Sequence, residues 1–260
     1  MTFSSEPVLI TGGSGGMGAA MARRLASSGA RVVVCDLDQD AVQGVARELT
    51  DAGHEAIGVS ADTCDEEQMR AAVDQAEEAF GPLYGLVTAA GIRQPAAPFH
   101  ELGLDTWDRV HRVNVMGTLI AIRACRPQLL RTRGAIVTVA SVTANAARMN
   151  QSAYCVSKAA VLHLTRQVAL ELAAHGVRAN ALCPGVTKTP MIEEAVRTDG
   201  PQVLEAKLRG SLEAFRPGIP LGRLSEPEEQ AATAEFLLSQ DASFITGAAI
   251  YVDGGVSMLG

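Results

Sequence analysis

Hydrophobic and polar positions along this chain follow two rhythms that replace each other from end to end. Val8–Thr11, Arg31–Cys35, Ala56–Ser60, Gly85–Ala89, Ala135–Ala140, Arg178–Cys183 and Ala248–Val252 are short runs of nearly continuous apolar character. Such runs predict strands buried on both sides. Between them, Met17–Ser28, Gln39–Ala52, Glu66–Phe80, Leu104–Leu130, Ser152–His175 and Glu226–Ser239 space their apolar residues as helices do. Seven buried strands alternating with helices predict an α/β fold, a doubly wound seven-stranded parallel sheet with helices on both faces. Only Thr187–Pro220 breaks the rhythm, with frequent Pro and Gly and no strand signal. That break predicts a substrate lid at about 187–220 within a single domain spanning 1–260.

Composition narrows the picture. The 260 residues are 47% hydrophobic but only 4% aromatic, so the expected core is aliphatic and large enough to need no disulfide staples. A formal charge of -7 argues against nucleic acid or an anionic membrane surface as partner. No apolar run reaches the ~18 residues of a membrane span, and Met1–Pro7 lacks the charge and length of a signal peptide. The five cysteines, Cys35, Cys64, Cys125, Cys155 and Cys183, are odd in number and scattered. They form neither a disulfide framework nor a zinc pattern, and a reducing cytoplasm is the expected location. No metal is expected.

Five glycines fall within the seven positions Gly12–Gly18, between the first strand and the first helix. Such a turn lets backbone approach a pyrophosphate, which then rests on the helix N-terminus. Two registers fit: Gly13-x-Gly15-x-x-Gly18, the general dinucleotide fingerprint, and the narrower Thr11-Gly12-x-x-x-Gly16-x-Gly18. The second strand leads into Asp36, 18 residues after Gly18, close to where an acid reads the ribose 2′-hydroxyl. An acid there repels a 2′-phosphate, and no Arg or Lys occurs in the glycine turn or directly after Asp36, so NAD is expected rather than NADP.

Downstream, "SAYCVSKAA" sets Tyr154 and Lys158 four residues apart on one helix face. A phenol that ordinarily ionises near pH 10 needs help to act as a base, and a nearby ammonium favours the phenolate. His111, His163 and His175 read as surface or packing residues, and Cys155 as an apolar space-filler.

TGGSGGMG at 11–18, Asp36, Asp62, Asn114, Ser141, Tyr154, Lys158 and PGVTKT at 184–189 resemble, in order and spacing, the short-chain dehydrogenases/reductases, a Rossmann-fold family. The resemblance selects the narrower register, making Gly12, Gly16 and Gly18 the functional glycines. It implies that Ser141 polarises the substrate oxygen and that Tyr154 exchanges its proton. Lys158 lowers the tyrosine pKa and holds the nicotinamide ribose, and Asn114 anchors a water relay. The implied cofactor contacts are Gly12, Ser14, Gly16, Met17 and Gly18 in the first turn, then Asp36 and Leu37. Asp62, at the adenine, and Thr63 follow, with Ala89, Ala90 and Gly91 after the fourth strand. Tyr154 and Lys158 join them, with Pro184, Gly185, Val186, Thr187 and Thr189 at the nicotinamide amide. One departure is visible: the family's Asn-Asn-Ala-Gly reads Thr88-Ala89-Ala90-Gly91 here, leaving Thr88 a hydroxyl for local hydrogen bonding and Ala89 none.

Further stretches, "LVTAAGIRQ" (86–94), "RGAIVTVAS" (133–141), "ARMNQSAY" (147–154), "FRPGIPLGRLSEPEE" (215–229) and "DGGVSMLG" (253–260), resemble one branch of the family, the 2,3-dihydro-2,3-dihydroxybenzoate dehydrogenases of catechol siderophore biosynthesis. The implied reaction is NAD-dependent oxidation of a cyclohexadiene carboxylate to an aromatic product. Oxidation of the 2-amino analogue to 3-hydroxyanthranilate and a generic 3-oxoacyl or alcohol reductase share the same catalytic set. A non-catalytic NAD sensor is the remaining alternative, disfavoured by the intact Tyr154 and Lys158. For the substrate carboxylate, Arg148 is the expected partner and Arg216 its rival. Met191 and Phe215 read either as covers over a planar ring or as core of the lid helices. A homotetramer, built through the Leu104–Leu130 and Ser152–His175 helices, follows from the resemblance.

Overall fold

The computed structural model describes residues 3–259. Its strands are β1 (Pro7–Thr11), β2 (Arg31–Asp36), β3 (Ala56–Ser60), β4 (Gly85–Thr88), β5 (Ala135–Val139), β6 (Arg178–Pro184), β7 (Gly210–Ser211), β8 (Arg216–Pro217) and β9 (Ala249–Val252). All but β7 and β8 form one sheet in the order β3-β2-β1-β4-β5-β6-β9, with every adjacent pair parallel. These are the seven strands the apolar runs predicted. The winding reverses between β1 and β4, and a crevice opens there beyond the strands' carboxyl ends.

The two-faced burial of the strands shows in their alternation. In β1, Val8 and Ile10 enter one core cluster and Leu9 the other; in β2, Val32 and Val34 part from Val33 and Cys35 in the same way. The first face is covered by α1 (Gly16–Ser27), α2 (Gln39–Asp51) and α9 (Pro227–Leu238), through Met21, Leu25, Leu49 and Leu237. The second is covered by α3 (Glu66–Phe80), α5 (Gly117–Thr132) and α6 (Ser152–Leu172), through Met69, Ile120, Leu129 and Leu172. Leu9 and Ile10 are wholly buried, and truncating either to alanine is expected to cost about 2–5 kcal/mol.

Helix starts explain themselves by chemistry. Asp38 caps α2 by accepting from Asp40 N and Ala41 N, and Asp65 caps α3 through Glu67 N and Gln68 N. The N-terminus of α1 has neither a side-chain cap nor an acid in its first turn, and its amides are left for something else.

Two expectations change. The single helix expected over Leu104–Leu130 is interrupted: α4 (Leu104–His111) passes through a π turn, Arg112–Met116, into α5. A π turn inserts backbone without disturbing the apolar face, so periodicity does not reveal it. The lid, expected to lack strands, holds α7 (Pro190–Asp199), α8 (Gln202–Arg209) and the antiparallel β7–β8 pair. Two-residue strands are too short to leave an alternation signal.

Candidate active site

The glycine turn is built by contact. Gly12 has φ +68°, and a Cβ there would stand 2.5 Å from Ala90 N; one on Gly18 would stand 2.0 Å from Gly12 O. Around Gly15 there is open space. The narrower register therefore has a steric basis in the protein itself. The turn is tied to β2, because Ser14 donates to Asp36 Oδ2 from both Oγ (2.5 Å) and N (3.2 Å), while Leu37 N donates to Oδ1 at 2.8 Å. The uncapped α1 amides, a cradle that any Cβ at Gly12 or Gly18 would fill, and an acid at the end of β2 fit a dinucleotide.

The expected cofactor residues converge on this crevice. Thr189 packs beside Gly16, and Met17, Ala89, Gly91 and Pro184 to Thr187 line one cavity with Ser141, Tyr154 and Lys158. Asp62 Oδ1 accepts from Cys64 N at 2.8 Å, and Thr63 is buried against Gly117. Leu37 is exposed at the rim. Thr88 departs from expectation: its hydroxyl is buried without a hydrogen-bond partner, because its strand position aims it between layers, and the turn is held by Ala89 N donating to Thr11 O instead.

A network of side chains places the catalytic helix. Asn114, in the π turn, donates from Nδ2 to Ile92 O (3.0 Å) and Ser157 Oγ (2.9 Å) and accepts from Ile92 N at Oδ1 (2.8 Å). Ser157 Oγ donates to Tyr154 O at 2.8 Å. Gln94, which sequence reasoning did not single out, is buried; its Oε1 accepts from Tyr154 N at 2.9 Å and its Nε2 donates to Asn150 O at 3.3 Å. It caps the start of α6 from a distant loop, a role no local spacing encodes.

Burial dominates the electrostatics of the pair. Burial pushes the Tyr154 phenol up to about 12, with the Ser141 hydroxyl pulling the other way. Burial also pulls the Lys158 ammonium down to about 8. Lys158 Nζ donates to Val139 O at 2.8 Å and lies 5.8 Å from the Tyr154 ring centre. In the protein alone, burial is the largest influence on both groups and favours the neutral form of each.

The cavity has a volume of about 270 Å³ and its lid wall carries Met191, Ile192, Val203, Lys207 and Arg216. Met191 and Arg216 therefore share one cavity with Ser141, Tyr154 and Lys158. Phe215 does not: it is 86% exposed with φ +47° in the hairpin turn, while its neighbour Arg216, the first residue of β8, lines the cavity. Arg148 lies half-buried behind the wall, next to Arg216, with its Nη1 donating to Ala147 O. Lys207 escaped the sequence reading because nothing local distinguishes it from other lid charges.

Residues 12–257 match a family model described as Enoyl-(Acyl carrier protein) reductase. The chain belongs to the short-chain dehydrogenase/reductase family and is an oxidoreductase acting on CH–OH donors. It is 41% identical over 254 residues to the cis-4-hydroxycyclohexanecarboxylate dehydrogenase of Sinomonas cyclohexanicum, covering 97% of each. It is 35% identical over 257 residues to a 2,5-dichloro-2,5-cyclohexadiene-1,4-diol dehydrogenase of Sphingobium indicum, covering 98% of each. Among solved structures, a 3-ketoacyl-(acyl-carrier-protein) reductase from Brucella melitensis complexed with NADH aligns with a TM-score of 0.86 at 34% identity, covering 98% of this chain and 99% of that one.

Proposed function

We propose that this protein oxidises the ring carbinol of a six-membered cyclic carboxylate, with NAD as acceptor. The observation that carries the reading is the single cavity that joins Ser141, Tyr154 and Lys158 to Lys207 and Arg216: hydroxyl chemistry and anion recognition share one small enclosure. The names of the two relatives, a cyclohexanecarboxylate dehydrogenase and a cyclohexadiene diol dehydrogenase, support a cyclic substrate. 2,3-Dihydro-2,3-dihydroxybenzoate is the cyclohexadiene member of this class, and its 2-amino analogue the nearest variant. Asp36, with no basic neighbour in the glycine turn, supports NAD over NADP.

When bound, oxidised NAD supplies the hydride acceptor and a positive charge beside the phenol. The protein's own part is the proton. Ser141 and Tyr154 hydroxyls hold the carbinol oxygen, and Tyr154, as phenolate, takes its proton while the C–O bond becomes a carbonyl. Lys158 donates from its ammonium to Val139 O and would hold the nicotinamide ribose were the cofactor bound. Gln94 and Asn114 hold the α6 start and the Ile92 backbone in register. We read the assembly as a cytoplasmic homotetramer, and the exposed Leu104, Met116 and Leu170 on α4 to α6 are consistent with faces awaiting a partner.

The deciding experiment follows NADH formation with cis-4-hydroxycyclohexanecarboxylate, 2,3-dihydro-2,3-dihydroxybenzoate, its 2-amino analogue and cyclohexanol. A carboxylate substrate is expected to exceed cyclohexanol in kcat/KM by about tenfold or more. Equal turnover of cyclohexanol, or preference for a 3-oxoacyl thioester with NADPH, would set the reading aside.

A further inference from the structure

Among the described residues, the wall of the cavity carries more positive charge, from Arg93, Lys207 and Arg216, than its one acid, Asp199, balances. Lys207 comes from the last turn of α8 and Arg216 from β8, and both line the cavity. The hairpin brings them together: α8 runs directly into Gly210, and Ser211 pairs with Arg216. Arg216 Nε and Arg148 Nε are buried without hydrogen-bond partners. Among the described residues the Lys207 ammonium takes part in no ion pair. The groups that bear on it are Arg216 from β8, Arg93 from the loop after β4, Arg148 from the loop before α6, and Asp199 from the end of α7. Asp199 is the one acid in that set, and it is already paired with Arg93 at 3.0 Å.

Resting on the ring-carboxylate reading above, we infer that Lys207 and Arg216 form the subsite for the substrate's anionic group, with Arg148 reinforcing it from behind. Three cations crowded at one wall repel each other. A carboxylate set among them replaces repulsion with charge-assisted hydrogen bonds, a planar fork from Arg216 and a point charge from Lys207. The anion thereby stitches α8 to β8, so the lid is firmest when the correct substrate is inside.

The electrostatics give this subsite a pH signature. Burial, followed by Arg216 and Arg93, pulls Lys207 down to about 8, against the weaker opposing pull of Asp199. Below pH 8 the free enzyme presents the ammonium; above it the amine is neutral and must take up a proton to hold an anion.

The test titrates the NAD-loaded enzyme by calorimetry with cyclohexanecarboxylate, a ring acid lacking the carbinol, and with its neutral analogue cyclohexanecarboxamide, at pH 7 and pH 9. In Lys207→Met and in Arg216→Met the acid-over-amide affinity ratio is expected to fall about tenfold or more at pH 7. In the wild type the same ratio falls from pH 7 to pH 9, with proton uptake on binding at pH 9. Lys207→Arg retains the ratio at pH 7 and loses its pH dependence, which separates charge from folding. A ratio unmoved by Lys207→Met, or a wild-type pH dependence that survives in Lys207→Arg, overturns the subsite. Turnover of cis-4-hydroxycyclohexanecarboxylate with an unmoved ratio would remove the subsite and keep the function. A Lys207-dependent acid preference without turnover of any ring carbinol would do the reverse.

Discussion

Burial holds the Tyr154 phenol near 12 and the Lys158 ammonium near 8, so each residue is biased toward its neutral form before any ligand arrives. Tyr154→Phe keeps the ring and removes the proton acceptor. It is expected to lower kcat by about 10²–10⁴-fold with NAD affinity within about threefold, read by steady-state kinetics and by NAD titration; retention of a tenth of wild-type kcat would acquit the tyrosine. Lys158 makes a prediction about stability. Its pKa falls from 10.5 unfolded to about 8 folded, so below pH 8 the fold bears the full cost of a buried ammonium, about 3 kcal/mol. Between pH 8 and 10.5 the folded protein sheds a proton that the unfolded chain keeps, and that cost fades as pH rises. Lys158→Met should therefore stabilise the ligand-free protein at pH 7 by about 1–3 kcal/mol, less what the orphaned Val139 carbonyl costs. Urea unfolding at pH 7 and pH 10 checks both the sign and its decline; a less stable variant at pH 7 would refute it. At Asp36, the proposed NAD preference rests on the carboxylate, which Ala substitution removes. The NAD-over-NADP ratio of kcat/KM values is expected to drop by about tenfold or more, and an unchanged ratio would mean that another residue reads the ribose.

At the scale of elements, the glycine turn shows how far a sequence pattern carries. The two registers are indistinguishable as spacing; Gly18, pressed against the Gly12 backbone, belongs to both, and what separates them is the approach of Gly12 to the Ala90 backbone beside the open space around Gly15. Gly18→Ala drives a Cβ into Gly12 O and is expected to cost about 3 kcal/mol or more, whereas Gly15→Ala enters open space and should leave the melting temperature within about 2 °C. Thermal denaturation of the two variants decides, and equal destabilisation would contradict the contact argument. The seven sheet strands were legible because a strand buried on both faces must be apolar at consecutive positions. The π turn at Arg112–Met116 was not, since Asn114 owes its position to bonds with Ile92 and Ser157 that are remote in sequence. The small β7–β8 pair was invisible for a similar reason: its two paired positions follow from the lid closing on itself.

For the molecule as a whole, the lid is held to the core through Arg93. Its Nη1 pairs with Asp199 at 3.0 Å and its Nη2 donates to Thr198 Oγ1 at 2.6 Å, both at the end of α7. A partly buried charged pair of this kind contributes about 1–3 kcal/mol, enough to change the local unfolding of the segment it holds about fivefold or more. Arg93→Ala is expected to speed limited proteolysis between α7 and β8 by at least that factor while the sheet remains resistant. Cleavage at an unchanged rate would place the lid's hold elsewhere, in the Thr187–Ser225 bridge.

The sequence by itself determined the parallel sheet and the crowded glycine turn, and it singled out Asp36 and the Ser141, Tyr154 and Lys158 set, the last three of which line one cavity. Each of these rests on local periodicity or on residue types whose chemistry is specific at fixed spacing. Tertiary structure alone decided which lid charges face the cavity. Arg148, Lys207 and Arg216 are all cations in the sequence, and Phe215, in the turn, differs from Arg216, in β8, by one position. Their directions follow from the hairpin that returns β8 against α8, and the start of α6 from Gln94 and Asn114, contacts that no local pattern records.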